Sequence, residues 1–369
     1  MTVPLGSNSG TGPKVVVAAG GTGGHVYPAL SVADDLRARG YRVLWLGTRE
    51  GIEAELVPEA GYEIHYLPVA GLRGKGLVKR LSGVLRLIAA LIHAVGLICR
   101  WRPHLVLGMG GFVSGPAGVA AWLMRRPLVI HEQNAIPGLT NRILSRLATR
   151  VLEAFPGSFP PSRGAECTGN PVRREITDLS PPAERMAGRS GPLRLLVLGG
   201  SQGAKAINEV VPAALRSLDD AQLVIVRHQA GPRHLESARR GYHQVQGQVE
   251  VSGYIKDMAE AYGWADVVLC RAGAMTIAEL SASGAVSILV PFPYAVDDHQ
   301  TSNARHLVDG DAGILLPQNE LSGTRLGDLL RELAGARERL QTMAEAARRL
   351  AVPDSADRVG RLCAEVARA

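Results

Sequence analysis

Short runs of Val, Ile and Leu alternate with longer amphipathic stretches along most of this chain, the rhythm of parallel strands joined by crossover helices. Candidate strands cover 14–19, 42–46, 64–67, 104–108, 128–131 and 150–153, then 193–198, 222–227, 248–252, 266–270, 286–290 and 313–316. Two of these runs end alike. "KVVVAAGGTGGHVYPALSV", from Lys14, and "RLLVLGGSQGAKAINEVV", from Arg194, each pass through a Gly-Gly turn into a helical pattern, with Gly20 and Gly199 179 positions apart. The chain therefore reads as α/β, with two doubly wound sheets of like design rather than a solenoid.

Its 369 residues suit two domains. Seven of the 22 prolines lie between Pro156 and Pro192 and mark the connection. The expected organisation is a polar, disordered lead-in over 1–13, a first domain over 14–170, a second over 171–352, and a last helix over 353–369 set off by "VPDS". Such sheets hold ligands at the carboxyl ends of their strands, here in a cleft between the two domains.

The lead-in has no apolar stretch of the signal-peptide kind. Cys99, Cys167, Cys270 and Cys363 lie far apart, which fits a reducing compartment and argues against a zinc site. Charge is uneven. Residues 1–170 hold 18 Lys/Arg against 10 Asp/Glu, and 64–131 hold nine Lys/Arg with no carboxylate, while 171–369 hold 23 against 24. The first half alone suits an anionic partner, a nucleic acid or an acidic membrane, or carries a solvated basic face.

Three glycine-rich turns follow strands, at Gly20 to Gly24, Gly108 to Gly111 and Gly199 to Gly203. Glycine lets backbone N–H groups close on an anion, and the following helix start favours negative charge, so each turn suits a phosphate. The first fails the G-x-G-x-x-G pattern, and "GGSQGAKA" lacks the G-K-[ST] of a P-loop. A dinucleotide oxidoreductase and a triphosphatase are both disfavoured. His25 stands where the first helix begins; capping or packing explains such an imidazole more readily than catalysis, yet it could also deprotonate a hydroxyl. In "CRAGAMTIAEL", Glu279 sits about a turn inside a helix whose first amides, near Ala274 and Thr276, suit a phosphate while its carboxylate suits a ribose diol. "DDHQTSNA" gathers Asp298, His299, Gln300 and Asn303, side chains of the kind that read sugar hydroxyls. Each of these alone could equally be an ordinary polar helix residue.

Together, "GGTGGH", "GMGGFVSGP", "HEQNAIPGLTNR", "GNPVR", "GGSQGA", "RAGAMTIAE" and "DDHQTSNA", in this order, resemble the MurG family of UDP-N-acetylglucosamine:N-acetylmuramyl-(pentapeptide) pyrophosphoryl-undecaprenol N-acetylglucosaminyltransferases, from about Pro13 to the C-terminus. The resemblance implies a GT-B fold of two Rossmann-like domains, with the last helix crossing back to the first. It implies transfer of GlcNAc from UDP-GlcNAc to the C4 hydroxyl of MurNAc in lipid I, with inversion, to give lipid II. It also implies a role in cell-wall synthesis, cell shape and division, and a peripheral position on the cytoplasmic face of the bacterial plasma membrane. A UDP-GlcNAc 2-epimerase of the same fold is the alternative.

By the same likeness, donor contacts fall on Thr22, Gly23, Gly24, Asn134, Arg173, Ser201, Ile255, Ala274, Met275, Thr276, Ile277, Ala278, Glu279, Gln300 and Asn303. His25 is the candidate base, and Gly110, Gly111, Phe112 and Glu132 are candidates on the acceptor side. Phe112 stands where some relatives have tyrosine, and His299 where some have glutamine. The resemblance implies no metal and no cofactor, with backbone dipoles and Arg173 facing the diphosphate. UDP-GlcNAc, lipid I, an anionic membrane and other cell-wall proteins are the partners the resemblance implies; nucleic acid is not among them.

The segment from Gly71 to Arg102 bears on the membrane. Its apolar stretch is interrupted at His93 and bounded by Arg86 and Arg100, short of the roughly 20 residues of a spanning helix. Lys79, Arg86, His93 and Arg100 recur every seven residues as a polar stripe. Most of the remaining apolar arc is expected to pack on the first sheet. Leu72, Arg73, Lys75, Leu77, Lys79 and Arg80 are expected to meet anionic lipid.

Overall fold

The computed structural model describes residues 12–69, 77–200, 204–218, 220 and 222–368. The chain divides into two compact units, Met1–Arg173 with Pro353–Ala369, and Arg174–Val352. Most of the expected lead-in, together with Leu72, Arg73, Lys75 and Ser201, lies outside the described residues, and of Leu77, Lys79 and Arg80 only the helical backbone is described.

In the first unit, seven parallel strands, β1 (Lys14–Ala18), β2 (Arg42–Gly47), β3 (Glu63–Tyr66), β4 (Leu105–Gly108), β5 (Leu128–Glu132), β6 (Arg150–Glu153) and β7 (Glu166–Cys167), are ordered 3-2-1-4-5-6-7. They are joined by α1 (Gly23–Ala38), α2 (Glu53–Glu59), α3 (Leu77–Trp101), α4 (Ser114–Leu123) and α5 (Leu139–Leu144). β1 shows why its sequence is apolar from Val15 onward. Val15 and Val17 face Val26, Ala29 and Ala33 of α1, while Val16 and Ala18 share a core with Ala90, Ala94 and Ile98 of α3. Both faces are covered, so no polar position alternates. β7 was not anticipated: two residues, one of them a glutamate, give no apolar run.

The apolar arc of α3 corrects an expectation. Its buried row is narrow, Ala90, Ala94 and Ile98 at four-residue spacing, whereas Val84, Leu85, Leu87, Ile88 and Ile92 are 42–64% exposed. Gly83–Trp101 is long and apolar enough to span a membrane by composition, but its buried row is built into the sheet's core. It is a domain helix with an outward apolar face.

The second unit has six parallel strands, β8 (Leu193–Leu198), β9 (Val224–Gln229), β10 (Val249–Ser252), β11 (Val267–Cys270), β12 (Val286–Leu289) and β13 (Gly313–Leu315), ordered 10-9-8-11-12-13. Its helices are α6 (Arg174–Thr177), α7 (Pro182–Arg185), α8 (Lys205–Arg216), α9 (Leu235–Gly241), α10 (Met258–Trp264), α11 (Ala274–Ser283), α12 (His299–Val308), α13 (Gly323–Ala334) and α14 (Arg337–Arg349). Leu195 and Val197 of β8 pack with Ile207 and Val211 of α8 and Leu326 and Leu330 of α13.

The last helix, α15 (Ser355–Arg368), belongs to the first unit. Val359, Cys363 and Val366 enter the core beneath α1, Arg39 donates to Asp357 Oδ1 (2.6 Å) and Tyr41 Oη to the Ala364 carbonyl (3.4 Å). Each sheet reverses its strand order once, between β1 and β4 and between β8 and β11. The turns that follow those strands are therefore the natural ligand-facing positions.

Candidate active site

In the first unit the turn after β1 is bare because its neighbours crowd it. A Cβ on Gly20 would strike the Glu53 carboxylate, one on Gly111 would strike the Gly20 carbonyl, and one on Gly110 would come within 2.5 Å of His25 Nδ1. Gly110 and Gly111 also hold positive φ, +93° and +79°, which glycine alone adopts without strain. Glu53 is fully buried at the start of α2. It accepts from Gly21 N–H (2.9 Å), Thr48 N–H (2.8 Å) and Thr48 Oγ1 (2.7 Å). The Gly21 amide, expected to suit a phosphate, is thus already spent on an internal carboxylate. Thr22 is exposed and extended at the N-cap of α1, with Gly23 and Gly24 half-buried after it.

His25 lies in the first turn of α1, half-buried, and its N–H donates to the Thr22 carbonyl (3.1 Å). Its imidazole is no helix cap: Nδ1 lies 3.1 Å from Gln133 Oε1, on the loop after β5. Gln133 Nε2 in turn reaches the Met109 carbonyl (2.9 Å) and His131 Nδ1 (3.3 Å). His131 Nε2 reaches the Gly169 carbonyl (3.0 Å). Burial pushes the His131 pKa down to about 4, so the ring is neutral near pH 7.

Glu132 faces inward, 2% exposed. One oxygen accepts from Asn134 N–H and Nδ2, the other from Gly138 N–H and Asn141 Nδ2. It fixes Asn134 and the loop, with both oxygens engaged within the fold. Phe112 is 51% exposed, and the Arg173 guanidinium lies 4.9 Å over the Tyr27 ring of α1.

The second unit is built differently. β11 runs through Arg271, Ala272 and Gly273 into α11, whose first-turn amides at Ala274, Met275 and Thr276 point out of the helix start. Ile277 is fully buried and its N–H donates to the Gly273 carbonyl (2.9 Å). Its side chain and amide are thus both engaged within the fold; Ala278 is half-buried. Asn303, on the inner face of α12, is fully buried and its Nδ2 donates to the Ala272 carbonyl (3.2 Å), bracing the turn from behind.

Glu279 is half-buried on α11 and accepts from Tyr262 Oη (3.0 Å). Gln300 Oε1 accepts from Phe292 N–H (2.9 Å), holding the loop after β12. Asp297 and Asp298, just before α12, both take left-handed φ, 54° and 51°, a costly conformation that concentrates at functional loops. Ile255 is half-buried beyond the end of β10. Arg271 donates to the carbonyls of Val290 and Pro291 (both 3.1 Å) and to Gln318 Oε1 (2.6 Å), tying the β11 and β12 ends together.

Sequence reasoning missed Glu53, His131, Gln133, Tyr262 and Arg271. The glycines at 20, 47 and 51 that make room for Glu53 were the available signal for it. Gln133 stood inside the quoted "HEQN" with nothing to say which way its amide faced.

Residues 15–153 match the glycosyltransferase family 28 N-terminal domain and 194–359 the family 28 C-terminal domain. The UDP-N-acetylglucosamine–N-acetylmuramyl-(pentapeptide) pyrophosphoryl-undecaprenol N-acetylglucosamine transferase of Alkalilimnicola ehrlichii is 56% identical over 354 residues, 96% of this chain and 99% of the relative. The protein of the same name from Nitrosococcus oceani is 53% identical with the same coverage. Among solved structures, Acinetobacter baumannii MurG has a TM-score of 0.82 at 37% identity, covering 96% of this chain and 99% of its own. A UDP-N-acetylglucosamine 2-epimerase, at 12% identity and a TM-score of 0.65 over 95% of each chain, shares the GT-B type of fold alone. With relatives this similar over nearly its whole length, the chain belongs to the MurG family of N-acetylglucosaminyltransferases.

Proposed function

We propose that the protein transfers N-acetylglucosamine from UDP-N-acetylglucosamine to the C4 hydroxyl of the MurNAc unit of lipid I, inverting the anomeric centre and yielding lipid II. The observation that carries the reading is the likeness to relatives named for this transfer over 96% of the chain. His25, half-buried in the first turn of α1, is the proposed base. As the acceptor oxygen bonds to C1 of the donor sugar, its proton passes to His25 Nε2, the C1–O bond to the diphosphate breaks, and the electron pair leaves with UDP.

In the second unit, the amides of Met275 and Thr276 at the start of α11 suit the departing diphosphate, where dipoles fixed in advance stabilise growing charge. The Glu279 carboxylate, oriented by Tyr262, suits the ribose hydroxyls, and Gln300 at the head of α12 suits the sugar. Thr22, Gly23 and Gly24 line the helix start beside the base.

The test is incubation of the full chain with UDP-N-acetylglucosamine and a soluble lipid I analogue. A β-1,4-linked disaccharide and stoichiometric UDP are expected. Free ManNAc from UDP-N-acetylglucosamine alone, with no disaccharide, would replace this reading with the epimerase one.

The first unit also supports attachment to the cytoplasmic face of the plasma membrane. Val84, Leu85, Leu87, Ile88 and Ile92 of α3, Trp122 and Leu123 of α4 and Ile143 of α5 are all exposed. Arg86, Arg100, Arg125 and Arg142 are exposed on or beside the same helices. Large apolar side chains among cations suit an anionic lipid surface, which is where a lipid-linked acceptor resides. Leu85→Glu with Ile88→Glu and Ile92→Glu should abolish sedimentation with anionic vesicles while sparing transfer to the soluble acceptor. Undiminished vesicle binding would place the lipid-facing surface elsewhere.

A further inference from the structure

We propose that Gln133 is a positioning residue that holds the proton of neutral His25 on Nδ1 and thereby leaves the Nε2 lone pair for the acceptor hydroxyl. The proposal rests on the reading of His25 as the base, and its own ground is a chain of four groups whose donor and acceptor roles admit one arrangement.

The chain is anchored at a backbone carbonyl. Gly169 O can only accept, so the His131 nitrogen 3.0 Å from it, Nε2, carries the hydrogen. His131 is neutral and fully buried, so its Nδ1 is a bare lone pair. That lone pair needs a donor, and the neighbour 3.3 Å away is the Gln133 amide. The Met109 carbonyl, 2.9 Å from the same Gln133 nitrogen, imposes the same choice. Turning the amide over would set Oε1 against a carbonyl and a lone pair at once, with both acceptors buried and unsatisfied. Gln133 therefore presents Oε1, an acceptor, to His25, and His25 Nδ1 must be the donor across 3.1 Å.

Three features keep the arrangement fixed. Gln133 is 1% exposed, so water does not compete for its amide. The Gln133 carbonyl accepts from Asn170 Nδ2 (3.0 Å), securing the backbone beneath it. Gly110 leaves the space the bond occupies, since its Cβ would lie 2.5 Å from His25 Nδ1 and 3.2 Å from Gln133 Oε1. Gly110, singled out for the acceptor side, thus has a second task. Ser114 Oγ, fully buried, lies 2.7 Å from the Gly110 carbonyl and 2.8 Å from that of Ala18, tying the second turn to β1.

The consequence for the reaction is direct. A neutral imidazole accepts a proton only at the nitrogen without hydrogen, and the other nitrogen's partner decides which that is. An amide oxygen does this without adding a charge.

The test reads the proton itself. A long-range 1H–15N spectrum of the full chain with ring-labelled histidine, at a pH where His25 is neutral, distinguishes protonated from bare ring nitrogens, and the His25 signals are those lost in His25→Asn. The proposal expects Nδ1 protonated and Nε2 bare in the wild type, with Nε2 taking the proton in Gln133→Met. Turnover of Gln133→Met should fall roughly 10- to 100-fold, part of the roughly 10²–10⁴-fold a positioned base supplies, with donor KM unchanged. A wild-type His25 protonated on Nε2, or a Gln133→Met protein with unaltered tautomer and turnover, would overturn the proposal. A wild-type tautomer as expected, alongside normal turnover in His25→Ala, would instead leave the positioning intact and refute the base.

Discussion

The turn after β1 and the turn after β11 look alike in sequence, each a strand followed by glycine and a helix, yet they are filled from opposite directions. In the first, Glu53 takes the Gly21 amide and Gly110 and Gly111 press against the turn and its histidine. In the second, Asn303 supports the carbonyl of Ala272 from behind, and the helix start opens outward. A glycine turn is thus a licence for close approach, and what approaches decides its chemistry. In one unit the occupant is the protein itself, which leaves an imidazole as the proposed working group. In the other the outward helix amides, suited to an anion, are the proposed ones.

The contrast is broken most strongly at His25. His25→Ala should lower kcat by roughly 10²–10⁴-fold while costing only about 0.5–1.5 kcal/mol of stability for the lost hydrogen bond, as turnover and urea unfolding on one preparation would show. Next in size is an acid effect common to both units. His131 in the first and His228 in the second are buried and held near pKa 4, below the unfolded value of about 6.5. Unfolding lets them take protons first, so their contribution is complete above about pH 6.5 and is lost as pH falls toward 4, about 3 kcal/mol each. Thermal melts between pH 7 and pH 4.5 should show the fall, with a shallower slope for His228→Gln.

Glu279→Ala sharpens the other side of the contrast. Losing a charged hydrogen-bond partner costs about 1.5–3 kcal/mol, so donor KM should rise roughly 10- to 100-fold with a smaller change in kcat; an unchanged KM would remove the ribose assignment. The smallest effect belongs to Glu53→Gln. Both Glu53 oxygens face donors, so an amide NH2 there opposes one of them and should cost about 1–3 kcal/mol of stability without altering donor KM.

The strands were legible because burial on both faces forces unbroken apolar runs, as at Val15 to Val17. The groups proposed for the site were legible only where one residue stands near its own helix start, as with His25 and Glu279. Gln133 meets His25 across 108 positions and Glu53 meets Gly21 across 32, and no local pattern carries such a pairing. Asn303 and Ile277, both fully buried, make a related point: proximity in sequence to a glycine turn does not say which side of the helix a residue occupies. Hydropathy showed that α3 has an apolar face but could not show that its large residues point away from the sheet.

The two units are proposed to divide the labour, proton transfer in the first and donor binding in the second. Calorimetric titration of UDP into His25→Ala and Glu279→Ala, beside the wild type, separates the two tasks. Wild-type affinity is expected in His25→Ala, despite its lost turnover, and a roughly 10- to 100-fold weaker Kd in Glu279→Ala. A His25→Ala protein that loses UDP affinity as steeply as it loses turnover would contradict it.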